Sequence, residues 1–253
     1  MHSLSTIYFL TVRSLREAVR NPAQEVGNIF VPLFFFAVTV GSIGSIAADA
    51  FGIDNFTGFQ VPVAILSAAS SISASAGLGT ITDIQRGYFD KLLLTPAPRS
   101  AIVLGRITAD GVRSIIITGV IVIVGLIFRT GFDTGVLGVV LLLAGSFFFG
   151  MAYSGFNAAV ALRTGSPQAA AAGGLLLFPL IFLSTAFAPK EVFADWLQLL
   201  ATINPITYIL EAQRSLIIEG WNWLDLLRGA AAIFGFGIAS FTLTFLALRW
   251  RTS

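Results

Sequence analysis

The chain has 253 residues, 56% of them hydrophobic and 11% charged, which is more apolar than soluble domains at about 45–50%. A net charge of +2 is too small to argue for a nucleic-acid surface, and the absence of cysteine excludes disulfides, thiol catalysis and thiolate metal sites. The chain contains 15 Lys and Arg and 13 Asp and Glu, and all of them fall outside six long runs that carry no Asp, Glu, Lys, Arg or His: 27–48, 61–82, 114–128, 134–162, 164–189 and 229–248. A bilayer core of about 30 Å is crossed by about 20 apolar residues in a helix, and a charge at mid-membrane costs about 2.5–3.5 kcal/mol or more. The expected fold is therefore an all-α integral membrane protein with six transmembrane helices in one domain over 1–253, leaving no room for a separate soluble domain.

The first 22 residues do not read as a signal peptide, because no basic stretch precedes the apolar residues and Arg13, Arg16 and Arg20 interrupt them. On a helical wheel Arg13, Arg16, Glu17 and Arg20 oppose Leu4, Ile7, Tyr8, Val12, Leu15 and Val19. This predicts an amphipathic elbow helix over 4–21 in the plane of the interface, its arginines toward lipid phosphates. Pro22 disfavours helical geometry at Asn21 and separates this helix from the first span. The elbow has two readings, a surface anchor or a helix bearing against a cytosolic partner.

The interval 81–113 follows the second span. Gly87 predicts a flexible joint, and Phe89, Leu92 and Leu93 recur at helical spacing with Asp90 and Lys91 on the other side, which predicts a short amphipathic helix. Thr95, Pro96, Ala97 and Pro98 end it. Ser100 is expected to cap the next helix, on which Arg106, Asp110 and Arg113 share one face. Such an interval is inert in many membrane proteins; an apolar-faced helix between two basic turns also suits a groove on another protein.

Between the fifth and sixth runs, Val192, Phe193, Trp196, Leu197, Leu200 and Ile203 form one apolar helical face. Asn204 and Pro205 are a cap and first turn that open a second helix over 204–220. There Ile206, Ile209, Leu210, Gln213 and Leu216 line one side, and Glu211 and Arg214 the other. Each piece is too short and too charged to span, so the pair is expected as a helical hairpin at the outer leaflet. Trp196, Tyr208, Trp221 and Trp223 are the rings expected at that interface. With both ends in the cytosol, eleven Lys and Arg lie in cytosolic segments and four outside, which predicts cytosolic termini.

Neither Lys91 nor Lys190 lies in a phosphate-binding loop pattern, so no ATPase motif is expected in the chain. The only histidine is His2, and the charge-free runs argue against a proton-coupled carrier, which normally keeps an ionisable residue in a span. The segment 83–110 resembles the cytosolic signature of type-2 ABC exporter permeases through Arg86, Gly87, Leu92, Leu93, Thr95, Pro96, Arg99, Leu104, Gly105 and Arg106. The Asn204–Pro205 run, with Tyr208, Glu211 and Arg214, resembles the family's second signature. Within the family the chain is most similar to the daunorubicin-resistance branch of multidrug efflux permeases; Gln85 departs from relatives that carry a charge there.

The resemblance implies a plasma-membrane permease subunit of an ATP-driven exporter, moving an amphipathic or hydrophobic substrate such as a drug, antibiotic, lipid or glycolipid. It implies two cytosolic ABC ATPase subunits that hold ATP and Mg, no cofactor on this chain, and a second permease copy as homodimer or close paralogue. Arg86, Gly87, Tyr88, Phe89, Asp90, Lys91, Leu92, Leu93, Thr95 and Pro96 would couple to the ATPase; Asn204, Pro205, Tyr208, Glu211 and Arg214 would form an outer gate. Beyond membrane lipid no other partner is expected, and nucleic acid is excluded. Ser67, Ser70, Ser71, Ser73 and Ser75, Phe34 to Phe36 and Phe147 to Phe149 are possible pathway residues, although lipid contact and close helix packing account for most such positions. Asn157, an amide at membrane depth, needs a partner, either substrate or a neighbouring helix. The Arg-rich, Lys-poor composition points to a bacterial cell membrane. An ion-gradient-driven secondary transporter and a non-transporting assembly protein are the alternative readings.

Overall fold

The computed structural model describes residues 2–53, 55–95 and 98–252. Its regular elements are all helical among the described residues: α1 (His2–Val19), α2 (Pro22–Phe51), α3 (Phe56–Gln85), α4 (Tyr88–Leu93), α5 (Arg99–Ile127), α6 (Gly135–Thr164), α7 (Pro167–Leu175), α8 (Leu177–Phe182), α9 (Asp195–Ile203), α10 (Pro205–Arg214) and α11 (Trp223–Thr252). A 3-10 turn at Lys190–Val192 precedes α9, and a π-helical turn at Ser215–Glu219 follows α10. Helices α2, α3, α5, α6 and α11 are each long and apolar enough to cross a membrane. The protein is an all-α membrane protein.

The fifth apolar run departs from a straight span. Its residues form α7 and α8, of 9 and 6 residues, which together reach only about 22 Å at helical rise. Two causes meet at the bend. Pro179 has no N–H to give to the carbonyl of Leu175, and Gly173 and Gly174 each weaken a helix by about 1 kcal/mol relative to Ala. The third run, by contrast, is only the far part of the 29-residue α5. Ser100 lies inside that helix; its N-cap is Pro98, without a side-chain bond, which corrects the expected cap.

α3 is the central strut, with 72% of its apolar window buried, whereas α2 is the edge helix, with 11%. A layer of polar groups crosses the bundle at one level. Arg113 of α5 pairs with Glu25 at the start of α2 and with Asp110 one turn earlier, and its guanidinium also reaches Ser75 of α3. The second oxygen of Asp110 accepts from Ser154 of α6 at 2.5 Å. From this layer to the opposite helix ends, 56–75 of α3 and 135–154 of α6 are each about 20 residues, or roughly 30 Å, the thickness of a hydrocarbon core. The helices continue beyond the layer and enclose a second apolar cluster of Ile102, Val103, Ile107, Ala158, Leu162 and Leu248, against which Leu10 of α1 and Leu92 of α4 pack.

Candidate functional site

At the end of the bundle beyond the polar layer, α1 lies against α5 because Gly105 lets it approach. A Cβ there would meet Leu10 Cβ at 2.6 Å, and Thr11 Oγ1 donates to the Gly105 carbonyl at 3.0 Å. Asp83, at the end of α3, joins the two helices: Arg106 holds it at 2.7 Å and Arg13 at 3.5 Å. The Arg13 guanidinium also sits over the Tyr88 ring at 4.0 Å, a cation–π contact that ties α1 to α4. This corrects the expected wheel for α1. Arg13 turns inward, whereas Leu4, Tyr8 and Val19 are exposed and face the surroundings, because the inner side offers the Asp83 carboxylate of α3, Gly105 of α5 and the Tyr88 ring of α4.

Gly87 has φ +66°, a left-handed geometry natural to glycine, and it turns the chain from α3 into α4. Arg86 and Lys91 are exposed. Thr95 closes α4, its hydroxyl donating to the Leu92 carbonyl at 2.6 Å. The Leu92 side chain packs inward, while Leu94 is 87% exposed. Among the described side chains of this segment the outward apolar one is therefore Leu94, which the helical spacing did not single out, whereas Leu92 is half-buried against the apolar cluster. Pro96, and the side chains of Phe89, Asp90 and Leu93, lie outside the described residues.

A cavity of about 230 Å³ opens between α2, α3 and the α7–α8 bend, and no charged side chain lines it. Phe35, Phe178 and Phe182 supply apolar wall, and Gln60, Ser67 and Ser71 supply polar atoms. The Ser67 and Ser71 hydroxyls donate to carbonyls one turn earlier in their own helix, at 2.8 and 3.2 Å, which leaves acceptor lone pairs for the cavity. Ser70 lies in the wall, but its hydroxyl donates to the Gly174 carbonyl at 2.5 Å and holds the bend. Tyr153 does the same from α6, donating to Gly173 at 2.9 Å and accepting from the Leu177 amide at 2.8 Å. Asn157 is fully buried between α6 and α3, donates to Ser73 Oγ at 2.6 Å, and lines none of this cavity. It is a helix-to-helix contact.

At the opposite end, Asn204 caps α10, its Oδ1 accepting from the Ile206 amide at 3.0 Å, with Pro205 in the first turn. Its amide nitrogen donates to the Leu180 carbonyl of α8 at 2.6 Å, so one residue fixes both the start of α10 and its docking on the bend. Tyr208 donates to the Thr202 carbonyl at 2.6 Å and closes the α9–α10 corner. α9 itself begins only at Asp195, with Phe193 and Ala194 extended before it.

Arg214 does not take the polar side expected of it. It is 3% exposed, lies 3.4 Å from the centroid of the Phe59 ring, and donates to the carbonyls of Phe59 and Ala186 and to Thr185 Oγ1. The stretch after α8 is not helical, so its carbonyls lack helical donors, and the five N–H groups of a guanidinium satisfy several at once. Arg214, Glu211, Glu219 and Lys190 border a polar hollow of about 630 Å³ on this side. Burial pushes the Glu211 carboxyl above its ordinary range, with nearby Asp225 adding to the rise and Arg214 opposing it. The sequence carried no sign of the Glu25–Arg113 pair, whose members are 88 positions apart. The i,i+3 spacing of Asp110 and Arg113 was its one local hint.

The chain matches the family model described as "ABC-2 type transporter" over residues 5–218. It is 26% identical over 197 residues to a daunorubicin resistance ABC transporter permease protein of Streptomyces coeruleorubidus, covering 78% of this chain and 69% of that protein. A probable doxorubicin resistance ABC transporter permease protein of Mycobacterium tuberculosis is 24% identical over 213 residues, covering 83% and 76% of the two chains. A putative transport permease of Pyropia yezoensis is 27% identical over 234 residues, covering 88% and 78%.

Proposed function

This chain belongs to the ABC-2 type transporter family, and on that premise we propose that it is the membrane-spanning subunit of an ATP-driven exporter of apolar or amphipathic molecules. The observation that carries the substrate class is the cavity between α2, α3 and the α7–α8 bend. Its walls hold rings, hydroxyls and one amide but no charge, so a desolvated ionic ligand would find no counter-charge there. Relatives named for resistance to daunorubicin and doxorubicin support the same class.

Work enters from the α1–α4 end. ATP and Mg are held by a partner ATPase in two copies, and Arg86 to Pro96 form the face that meets it. The Arg13–Asp83–Arg106 contacts join α1, α3 and α5, so a push on α4 or α1 is transmitted to helices that border the cavity. Asn204, Pro205, Tyr208, Glu211 and Arg214 form the gate at the far end, and two permease copies enclose the pathway. The termini face the cytosol of a bacterial cell, by the eleven-to-four distribution of basic residues.

The test is transport in proteoliposomes holding the permease with its ATPase. Uptake of an amphipathic dye should require ATP. Ser67→Trp, which fills the cavity from α3, should lower dye transport about tenfold or more while leaving basal ATP hydrolysis near its starting rate. Dye movement by the permease alone, driven by an ion gradient and indifferent to ATP, would replace this reading with a secondary carrier. In that case Asp110, 2% exposed inside α5, would be the first residue to change.

A further inference from the structure

The charge-free cavity between α2, α3 and the α7–α8 bend has a second hollow directly beneath it, toward the α1–α4 end. This one measures about 80 Å³, is lined by Glu25, Arg106, Asp110 and Arg113, and reaches the exposed residues Glu17, Asn21 and Gln24 at the α1–α2 corner. Along α3 the two spaces are neighbours: Ser71 and Ala74 face the cavity, whereas Ser75, Ala76 and Gly79 face the hollow. One layer of side chains separates them, about one helical turn or 5.4 Å thick. Arg113 is its centre. Its guanidinium donates to both oxygens of Glu25, at 2.5 and 3.3 Å, and to Ser75 Oγ at 3.2 Å. Asn28, 7% exposed, completes the layer. With its amide oxygen toward Arg113 it accepts from Nη2 at 3.1 Å and donates to the Ser71 carbonyl at 3.3 Å.

α2 is built to move at this level. Among the described residues, its hydrogen bonds to other helices come from Glu25 and Asn28 alone. Beyond them it is held by apolar contact through Ile29, Leu33, Phe36 and Val40. Pro32 follows one turn after Asn28 inside the helix. It has no N–H for the Asn28 carbonyl and weakens the helix there, at the inner rim of the cavity, which α2 lines from Val31 onward. The stretch 22–31 can therefore swing about Pro32. The charges allow this motion as well. When Glu25 leaves, Arg113 keeps Asp110 at 2.9 Å, so no cation is stranded in a dry site. Glu25, beside the exposed Gln24, passes into water.

We infer that this layer is the inner gate of the cavity, closed in this structure, and that the Glu25–Arg113 pair is its latch. A substrate enters from the α1–α4 end when 22–31 swings out and Glu25 releases Arg113. Re-forming the two-pronged contact shuts the cavity from that end. The assignment rests on the transport reading of the cavity and adds the side chains that control entry to it.

The cysteine-free chain allows a direct test in membrane vesicles that hold the permease with its ATPase, sorted so that a C-terminal tag faces outward. The tag marks the α1–α4 end, because Leu248 of α11 belongs to the same cluster as Leu10 and Leu92. Ser71→Cys places a thiol on the cavity side of the layer, and a membrane-impermeant methanethiosulfonate should reach it slowly. Adding Glu25→Gln should speed that labelling about tenfold, the shift expected from losing a charge-assisted bond. Ser146→Cys, buried in α6 and outside the cavity, should stay unlabelled with or without Glu25→Gln. Asn28→Cys combined with Ser75→Cys, at side chains that approach to 3.4 Å, should lose ATP-driven dye uptake on oxidation and regain it on reduction. Labelling of Ser71→Cys unchanged by Glu25→Gln would overturn the latch. Equal acceleration at Ser146→Cys would also overturn it, since the whole bundle would then have loosened. Full dye uptake after the 28–75 pair has consumed its thiols would overturn the gate and leave the transport reading intact. No ATP-driven uptake by the unsubstituted chain would remove the transport reading itself, and the labelling rates would still decide whether the layer opens.

Discussion

Arg214 joins α10, α3 and the non-helical stretch after α8 through three acceptors and one ring. Replacing it with Gln removes charge-assisted bonds, each contributing about 1.5–3 kcal/mol, so the melting temperature of the purified protein should fall clearly. Arg214→Lys keeps the charge but lacks the planar fork, and should restore only part of the loss. Full rescue by Lys would mean that charge alone matters at this position. Glu211 beside it titrates in the opposite sense from an ion-paired surface carboxylate. Its pKa is raised by burial and by Asp225, so the folded hairpin holds the proton more tightly than the unfolded chain does. Acidification therefore stabilises the hairpin, and that contribution is lost as pH rises through the raised value. Hydrogen-exchange protection over 205–219, taken relative to the intrinsic exchange rate at each pH, should be greater at about pH 5 than at about pH 8 by this linkage, and Glu211→Gln should flatten the difference.

At the scale of elements, α4 and the residue after it divide the two leucines differently from the helical spacing, which picked out Leu92 and passed over Leu94. Leu92 is part of the cluster with Ile102 and Leu162, whereas Leu94 is almost wholly exposed just past the end of the helix. Leu92→Ser should thus lower thermal stability, by part of the 2–5 kcal/mol of a large core truncation. Leu94→Asp should leave the melting temperature unchanged and weaken retention of the ATPase in pull-down of the complex. If Leu94→Asp binds the ATPase as the wild type does, the docking surface lies elsewhere, and Arg86 and Lys91 are the next positions to change. The elbow obeys the same logic: α1 is held by Leu10 and Thr11 against Gly105 and its cluster and by Arg13 against Asp83, while Leu4, Tyr8 and Val19 face outward.

For the whole molecule, the uneven burial of the spans is the strongest pointer to assembly. α2 buries 11% of its apolar window against 72% for α3, and Phe30, Phe34 and Phe35 stand exposed along it. Phe35 also borders the charge-free cavity, so a second copy placed against α2 would close that cavity from the open side. The chain has no cysteine, which makes the test clean. Phe34→Cys should form a disulfide-linked dimer on mild oxidation in membranes, while Phe234→Cys, exposed on α11, should remain monomeric on denaturing gels. The reverse pattern would place the second copy on the α6–α11 face.

The sequence by itself determined the class of the fold, because charge cannot be left in hydrocarbon and so its absence marks the helices that cross. It also determined the breaks at Pro22, Gly87 and Asn204–Pro205, where local backbone chemistry acts without help from distant residues. The tertiary structure alone decided where the polar side chains go. Arg214 is buried because unpaired carbonyls from another segment await it, Arg13 turns inward to a carboxylate 70 positions away, and Glu25 meets Arg113 across the bundle. A helical wheel registers only the sides of one helix and the polarity of its residues. Which side meets a partner able to satisfy a buried charge is set by the packing of the other helices, and that information is not local to any stretch of the chain.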